Sequence, residues 1–132
     1  MRVPIKYIGI PFSVGGRDVR GVDCYGLVHL FYRTEFLIKL PSYSDCYKDY
    51  TQVDVITPLM KHAEACDWIE VKVPGYGDVI TFNIGGTQMH CGMALDKGRM
   101  LHCLANKNSC IERWANVMWQ NRVAGFFRHV ER

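Results

Sequence analysis

The period of the hydrophobic pattern changes along this chain, and that change constrains the fold more than any other feature of the sequence. Asp23 stands at a favourable N-cap position, and the apolar residues that follow it share one helical face: Cys24, Leu27, Val28 and Phe31. From residue 68 onward, apolar and polar residues alternate, which is typical of strands. A helix followed by strands predicts an α+β fold with an antiparallel sheet.

A second helix and five strands complete this prediction. Helical spacing recurs at Ile56, Leu59, Met60 and Ala63. Strands are expected over residues 69–73, 77–82, 90–95, 99–104 and 123–127, which are separated by turn-forming residues. The 132 residues, 48% of them hydrophobic, are enough for one packed core, so we expect a single domain over residues 1–132.

The charge and hydropathy of the chain argue against two classes of partner. Sixteen Lys and Arg against 13 Asp and Glu give a formal net charge of +3, and no run of like charges forms a basic stripe. A dedicated nucleic-acid binder is therefore disfavoured. We expect no membrane insertion, because no apolar stretch approaches the roughly 20 residues of a spanning helix. The first residues also lack the apolar core of a secretory signal.

Six cysteines in a chain of this length raise the question of disulfides. They contain no C-x-x-C pair, and nothing marks a secreted protein, so a disulfide framework is not expected. Free cysteines are among the most buried residue types. We therefore expect Cys46, Cys66 and Cys110 to be small buried hydrophobes.

Cys24 differs from these because it follows the N-cap of the first predicted helix. Unpaired N–H groups and the positive end of the helix dipole favour an anion there, which lowers the pKa of a thiol and raises the fraction of nucleophilic thiolate. The same N–H groups would hold the oxyanion that forms on an attacked carbonyl. Many cysteines occupy such positions without reacting, so spacing alone leaves a structural and a catalytic Cys24 both open.

A thiolate nucleophile requires a base, and the chain has five histidines. His29 lies about 140° from Cys24 around the helix and points elsewhere. We expect His62 and His129 to be solvated, because the first lies opposite an apolar stripe and the second lies near the chain end. His90 and the fifth histidine, His102, remain as candidates.

The hairpin that carries His90 and His102 decides whether their side chains meet. If residues 96–98 form its loop, with Gly98 in a left-handed conformation, Gly92 faces His102 and both imidazoles lie on one side of the sheet. Their Cα atoms are then diagonal neighbours, about 7–8 Å apart. A two-residue loop would place the imidazoles on opposite faces. Both registers are open at this point, and Gly98 suits the first.

Two other interpretations of these histidines compete with a catalytic one. The pairs His90-Cys91 and His102-Cys103 resemble a Cys₂His₂ zinc site, but adjacent strand residues point to opposite faces, so no face collects all four ligands. A zinc site is therefore disfavoured, and we expect neither a metal nor another cofactor. Histidines whose partners are backbone groups are commoner than functional ones, and this interpretation stays open for each residue taken alone.

Several segments together carry a family resemblance. They are Gly21-Val22-Asp23-Cys24-Tyr25-Gly26-Leu27-Val28, Gly77-Asp78-Val79-Ile80-Thr81-Phe82, His90-Cys91-Gly92-Met93-Ala94-Leu95 and Gly98-Arg99-Met100-Leu101-His102. The chain resembles the NlpC-type family of papain-like cell-wall cysteine peptidases, in which D-C-x-G-L-V, G-D-hydrophobic-x-x-F, H-x-G-hydrophobic and a closing histidine segment occur in this order. The resemblance covers nearly the whole chain.

This resemblance implies roles for particular residues. Cys24 would be the nucleophile and its backbone N–H the oxyanion donor, His90 would be the general base and acid, and His102 would orient His90. The implied fold is papain-like, with the helix that carries the cysteine packed on the sheet that carries the histidines. The implied substrate is the peptide stem of peptidoglycan, typically the bond between D-glutamyl and diaminopimelyl residues, and no cofactor is needed.

Some details resemble the branch of the family found in bacteriophage and gene-transfer-agent tails. They are the G-V-D-C-x-G-L-V wording, the Pro41-Ser42-Tyr43 segment and the ending over residues 119–128. This branch implies a protein made in the host cytoplasm and carried at the virion tail tip. There it would contact other tail proteins and degrade the cell wall locally during DNA delivery.

Phe12 and Tyr25 depart from the bacterial members, many of which have Tyr and Ser at these positions, and with Asp23 they are expected to contact the substrate. A rival hypothesis is a tail-tip assembly module with little or no catalysis, because 132 residues leave no room for a separate wall-binding module. A third is an amidase or acyltransferase of related fold. The order of Cys before His argues against the circularly permuted acyltransferases.

Overall fold

A computed structural model of the protein describes residues 5–48, 61–62, 65–85 and 87–132. Helix α1 spans Cys24–Phe31 and continues into a wider helical turn at Tyr32–Phe36, and residues 61–62 and 65–67 are also helical. The strands in chain order are β1 Arg17–Asp18, β2 Gly21–Val22, β3 Trp68–Val71, β4 Val79–Ile84, β5 Thr87–Ala94, β6 Arg99–His102, β7 Cys110–Arg113 and β8 Val123–His129. One helix packed on an antiparallel sheet confirms the predicted α+β class.

The main sheet has six strands in the order β3-β8-β4-β5-β6-β7, and every neighbouring pair is antiparallel. Strands β4 to β7 follow one another along the chain and in the sheet. The last strand, β8, returns to lie between β3 and β4, which joins the C-terminal segment to the centre of the sheet. Strand β3 is therefore an edge strand, and Ile69 on it is 57% exposed.

Helix α1 begins where its N-cap was predicted. The Asp23 side chain accepts a hydrogen bond from the Gly26 N–H at 2.8 Å, which satisfies one of the unpaired donors of the first turn. The predicted apolar face is confirmed, because Leu27, Val28 and Phe31 are buried. Burial of that face against the sheet holds the helix, since an eight-residue helix is marginal by itself.

The sheet separates two apolar clusters. The cluster on the helix face includes Val79, Cys91, Met93, Leu101 and Cys103 from the sheet. The other cluster contains Ile80, Phe82, Ala94, Met100 and Trp119. Adjacent strand residues fall into different clusters, as the alternation of side chains along a strand requires.

The β5–β6 hairpin adopts the register that places both candidate imidazoles on one side. Gly92 is directly opposite His102, and the Leu95 N–H donates to the Arg99 carbonyl at 2.8 Å. Gly98 has a positive φ of 73°, as predicted, and Lys97 also has one, 56°, which was not expected. Two consecutive left-handed residues give a turn whose twist matches that of the flanking strands.

The expectation that Cys46, Cys66 and Cys110 are buried is wrong, and so is the expectation that His129 is solvated. All six cysteines are free thiols, but Cys46 and Cys66 are exposed and Cys110 is half-buried, because they lie at the surface rather than under the helix. His129 is buried instead of solvated. The reason is the inner position of β8, which pairs His129 with Trp68, with 5.0 Å between their ring centroids.

Two further points concern the second predicted helix and three missed strands. The residues that predicted this helix, Ile56, Leu59, Met60 and Ala63, lie outside the described residues. Strands β1, β2 and β7 were not predicted. Within the described ranges, no helix is long and apolar enough to cross a membrane.

Candidate active site

A buried ion pair between Asp23 and Arg17 fixes the N-terminus of α1. The Asp23 Oδ1 atom accepts from Arg17 Nη1 at 2.8 Å, in addition to the cap bond from Gly26. The Oδ2 atom accepts from the Gly15 N–H at 2.9 Å and from the Tyr47 hydroxyl. Four donors therefore occupy the carboxylate, which ties the glycine-rich loop to the first helical turn.

The glycine two positions after Cys24 is required by close packing. A Cβ at Gly26 would lie 1.9 Å from the carbonyl oxygen of Gly16, so no larger residue fits while the loop crosses the helix here. Tyr25, between them, lies with its ring 5.3 Å from the Arg17 guanidinium, and its hydroxyl donates to the Pro41 carbonyl at 2.6 Å. Cys24 is held on a rigid turn.

The pKa of the Cys24 thiol is lowered to about 5 by its neighbours. The largest cause is a hydrogen bond from the Cys91 thiol, and a hydrogen bond and positive charge from His90 act in the same direction, against the effect of burial. The pKa of Cys91 is raised well above its ordinary value by the same contact and by burial, so Cys91 keeps its proton. These contacts favour the thiolate of Cys24, which is the nucleophilic form of the side chain.

Behind this sulfur, two imidazoles and a carboxylate form a hydrogen-bonded chain, which we call the imidazole relay. His90 Nε2 lies 2.9 Å from His102 Nδ1, and His102 Nε2 lies 2.6 Å from Glu112 Oε2. A carboxylate only accepts hydrogen bonds, so His102 carries its proton on Nε2 and accepts from His90 at Nδ1. The other nitrogen of His90, Nδ1, is then the one available to Cys24.

His102 is neutral in this relay. Burial and the charge of His90 lower its pKa to about 4, and the opposing effect of Glu112 does not compensate. The contact between His102 and Glu112 is thus a hydrogen bond to a carboxylate rather than an ion pair at neutral pH. Neutral His102, with its proton on Nε2, accepts the hydrogen bond of His90 at Nδ1.

The relay is packed between aromatic rings. The His90 ring lies 5.6 Å from Phe82 and 5.7 Å from Trp119, centroid to centroid, and Trp119 also meets the edge of His102 at 5.3 Å. Gly92 allows His102 to approach, because a Cβ there would lie 3.0 Å from the His102 Cβ. These contacts pack the rings of His90 and His102, which are both buried.

Comparison with known families gives a match over most of the chain. The model of the NlpC/P60 family matches residues 9–128. The chain belongs to the NlpC/P60 family. Among its curated relatives, the chain is 22% identical over 114 residues to "Murein DD-endopeptidase MepS/Murein LD-carboxypeptidase" of Escherichia coli K12, covering 86% of this chain and 53% of that protein. It is 28% identical over 114 residues to "Probable endopeptidase NlpC" of the same strain, covering 85% and 64%.

Solved NlpC/P60 structures have the same fold. The NlpC/P60 domain of the peptidoglycan hydrolase SagA aligns with a TM-score of 0.60 and 23% identity, over 93% of this chain and 88% of that one. An NlpC/P60 family protein from Bacillus cereus ATCC 10987 aligns with a TM-score of 0.69 and 22% identity, over 94% of this chain and 37% of that one. At these identities the likeness establishes the papain-like fold. The chain spans about half the length of MepS.

The NlpC/P60 fold brings together three of the residues singled out in the sequence. Cys24, His90 and His102 are connected through hydrogen bonds. Phe12 and Tyr25 pack with Cys24 along the edge of the helix-face cluster. Asp23 is buried and makes its hydrogen bonds within the protein, as a helix cap does.

Sequence reasoning missed three residues of this NlpC/P60 site: Cys91, Glu112 and Trp119. The signal for Glu112 was present but short, because the alternation in Cys110–Arg113 covers only four residues. Cys91 was assigned to the face opposite the imidazoles, which is correct, but its contact with Cys24 depends on where the helix lies. No local pattern points to Trp119.

The described residues also bear on metal binding. Cys91 and Cys103 lie in the helix-face cluster, away from the imidazoles, so the four residues of the suspected Cys₂His₂ set do not converge, as the alternation predicted. Within the described part of the chain, a different set does converge. It consists of His102, Cys110 and Glu112, whose potential ligand atoms lie within 4.8 Å of one another.

Proposed function

We propose that this chain is a cysteine endopeptidase that hydrolyses peptide-stem amide bonds of peptidoglycan. The observation that carries the proposal is a thiol at a helix head whose pKa falls to about 5 beside an imidazole that a second imidazole orients at 2.9 Å. A stable thiolate with an adjacent proton donor is the arrangement that acyl transfer requires. The substrate class follows from the names of the relatives, among them a murein endopeptidase and a peptidoglycan hydrolase.

In the first half of the reaction, the Cys24 thiolate attacks the amide carbonyl carbon. A C–S bond forms, and the carbonyl electron pair moves to the oxygen, where the backbone N–H of Cys24 stabilises it. The N–H groups of Gly26 and Leu27 already donate to Asp23, so the oxyanion donor is earlier in the turn. His90 then gives its Nδ1 proton to the leaving nitrogen, and the C–N bond breaks.

In the second half, water releases the acyl group. Neutral His90 takes a proton from water, the hydroxide oxygen attacks the thioester carbon, and the C–S bond breaks to regenerate the thiolate and the imidazolium. His102 and Glu112 hold the His90 ring and its Nε2 proton throughout, while the proton on Nδ1 is transferred. No metal ion takes part in either half.

The bond specificity and the setting are the finer part of the proposal. We propose cleavage between D-glutamyl and diaminopimelyl residues by a protein at a bacteriophage tail tip, where local degradation of the wall assists DNA delivery. The support is the sequence likeness to tail peptidases in residues 21–28, 41–43 and 119–128. The name of MepS includes two other bond types, so the cleaved bond has to be measured.

The central test is hydrolysis of purified peptidoglycan by Cys24→Ala. We expect a loss of at least about 10³-fold, because no nucleophile replaces the sulfur. Cys66→Ala is the matched control, since Cys66 is an exposed thiol 3.4 Å from His62 Nε2, a thiol–imidazole pair outside the site. Hydrolysis should survive EDTA and fail after iodoacetamide treatment. Cleavage by Cys24→Ala at the wild-type rate would refute the proposal.

Two measurements test the finer part. Mass spectrometry of fragments from defined muropeptides identifies the bond, and release of D-alanyl rather than diaminopimelyl ends would exclude the proposed bond specificity while leaving a peptidase. Pull-down of tail proteins by Cys24→Ala is expected if the chain is a tail component. Virions that carry Cys24→Ala and infect normally would favour the assembly role over wall digestion.

A further inference from the structure

Three potential metal ligands lie side by side at the outer end of the imidazole relay. His102 on β6 and Cys110 on β7 are directly opposite each other, and Glu112 is two residues further along β7, on the same face. Their ligand atoms lie within 4.8 Å of one another. Ligand atoms around a tetrahedral zinc ion are about 3.2–3.8 Å apart, as bond lengths of about 2.0–2.3 Å require, so small side-chain rotations suffice.

The three side chains range from buried to partly exposed. His102 is fully buried, Cys110 is half-buried, and the Glu112 side chain is 37% exposed. An ion from solvent would meet the Glu112 carboxylate first, and this carboxylate would turn aside from His102 Nε2, which lies 2.6 Å from it, to admit the ion. The rigid pairing of β6 with β7 sets the positions of all three residues.

We propose that His102, Cys110 and Glu112 form a binding site for a divalent cation of the zinc class, and that the bound cation inhibits the peptidase. One imidazole nitrogen, one thiolate and one carboxylate suit zinc and cobalt and disfavour magnesium and calcium, which prefer oxygen ligands. Binding replaces the thiol proton of Cys110 and the Nε2 proton of His102. A water molecule completes four-coordination.

The inhibition, which rests on the proposed function, follows from the direction of hydrogen bonds in the relay. A neutral His102 that binds the cation at Nε2 carries its one proton on Nδ1, so as the Nε2 proton leaves for solvent the Nε2 proton of His90 passes to His102 Nδ1, which now donates to His90 Nε2 instead of accepting from it. His90 must then keep its single proton on Nδ1. It can no longer be the imidazolium that stabilises the Cys24 thiolate, and it has no free nitrogen facing the sulfur to accept a proton.

Metal binding is tested with Co²⁺ on Cys24→Ala protein, so that the catalytic thiol cannot be a ligand. We expect one equivalent of Co²⁺ with a thiolate-to-cobalt charge-transfer band. Adding Cys110→Ser should abolish the band, and adding Cys66→Ser should leave it, although Cys66 and His62 also form a thiol–imidazole contact. Adding Glu112→Gln, at a partly exposed side chain, should keep the band and weaken binding about 10-fold or more.

A band lost with Cys66→Ser and kept with Cys110→Ser would overturn the site. Circular dichroism of each variant separates lost ligands from lost structure, and Glu112→Gln keeps the test decisive if Cys110→Ser does not fold. The absence of Co²⁺ binding would refute the site and leave the peptidase proposal untouched.

Inhibition is tested with Zn²⁺ on chains that carry Cys24, as the ratio of rates with and without Zn²⁺ for each variant. We expect at least about tenfold inhibition of the wild type, reversed by EDTA, because the base is blocked. Cys110→Ser should lose most of this inhibition at the same Zn²⁺ concentration. Equal inhibition of Cys110→Ser and wild type would overturn the regulatory part, because Zn²⁺ would then act on Cys24 and His90 directly.

Discussion

The β5–β6 hairpin contains the dipeptide His-Cys twice, once near each strand, and its two faces differ because one carries the cysteines and the other the histidines. His90-Cys91 and His102-Cys103 put two thiols under the helix and two imidazoles under Trp119. The thiols lie in an apolar cluster, and burial raises the pKa of Cys103 to about 12. The imidazoles are equally buried, but a chain of hydrogen bonds connects them to a carboxylate at the surface. The two faces therefore differ in the hydrogen-bond partners of their buried side chains and not in the degree of burial.

The helix face contains a second, smaller contrast. Cys91 and Cys103 are both buried thiols next to a relay histidine. The Cys103 thiol donates to the Lys107 carbonyl at 3.4 Å, whereas the Cys91 thiol donates to the sulfur of Cys24. Only Cys91 therefore acts on the proposed nucleophile. The two cysteines form a natural pair for comparing a functional thiol with a packing thiol.

The largest effect should come from removing the base on the imidazole face. His90→Ala should lower kcat/KM for a muropeptide by about 10³-fold or more, because the thiolate loses its cation and the leaving amine loses its proton donor. The Cys103→Ala variant, changed on the opposite face, is the control. If kcat/KM of His90→Ala were within tenfold of the wild-type value, the imidazole face would have no larger part in hydrolysis than the helix face.

A smaller effect should come from the outer end of the relay. Glu112→Gln replaces a charged acceptor by a neutral amide, and we expect kcat to fall about 10- to 100-fold with KM unchanged, the value of one charge-assisted hydrogen bond. Glu70→Gln on the edge strand β3 is the matched control. An unchanged kcat would mean that the His90 orientation depends on packing against Phe82 and Trp119 alone.

The pH dependence of Cys24 alkylation distinguishes the effect of Cys91 from that of Cys103. Cys24 reacts as the thiolate, so in the wild type the rate should fall as the pH drops through about 5. Cys91→Ala removes a donor to the thiolate, which raises the pKa of Cys24 and moves this limb upward by about one to two pH units. Cys103→Ala should leave the limb in place. Rates of iodoacetamide reaction at saturating pH and below provide the measurement.

The smallest effect should be a loss of stability on removal of the Cys103 thiol. Cys103→Ala removes a buried sulfur from the helix-face cluster and should lower the free energy of unfolding by about 1 kcal/mol, with hydrolysis retained. Urea denaturation with parallel activity assays measures both quantities. A large loss of hydrolysis with intact stability would give Cys103 a functional part and remove the contrast with Cys91.

Much of this fold could be predicted because its signals are local. The N-cap at Asp23 and the spacing of Leu27, Val28 and Phe31 defined α1 within a single stretch of chain. Gly98 indicated the turn that sets the β5–β6 register. Errors arose where burial depends on distant strands, as at His129, or where a strand is too short to show a period, as in β7.

The sequence by itself determined the N-terminus of α1 with its cysteine and limited the hairpin to two registers, of which Gly98 favoured the one that the structure shows, because a cap, a turn and an alternation each act over a few residues. Tertiary structure alone decided that Cys91 meets Cys24 and that Glu112 ends the relay. These contacts join segments far apart in the chain. Their positions follow from how α1 packs on the sheet and how β7 pairs with β6, and short-range propensities do not encode either.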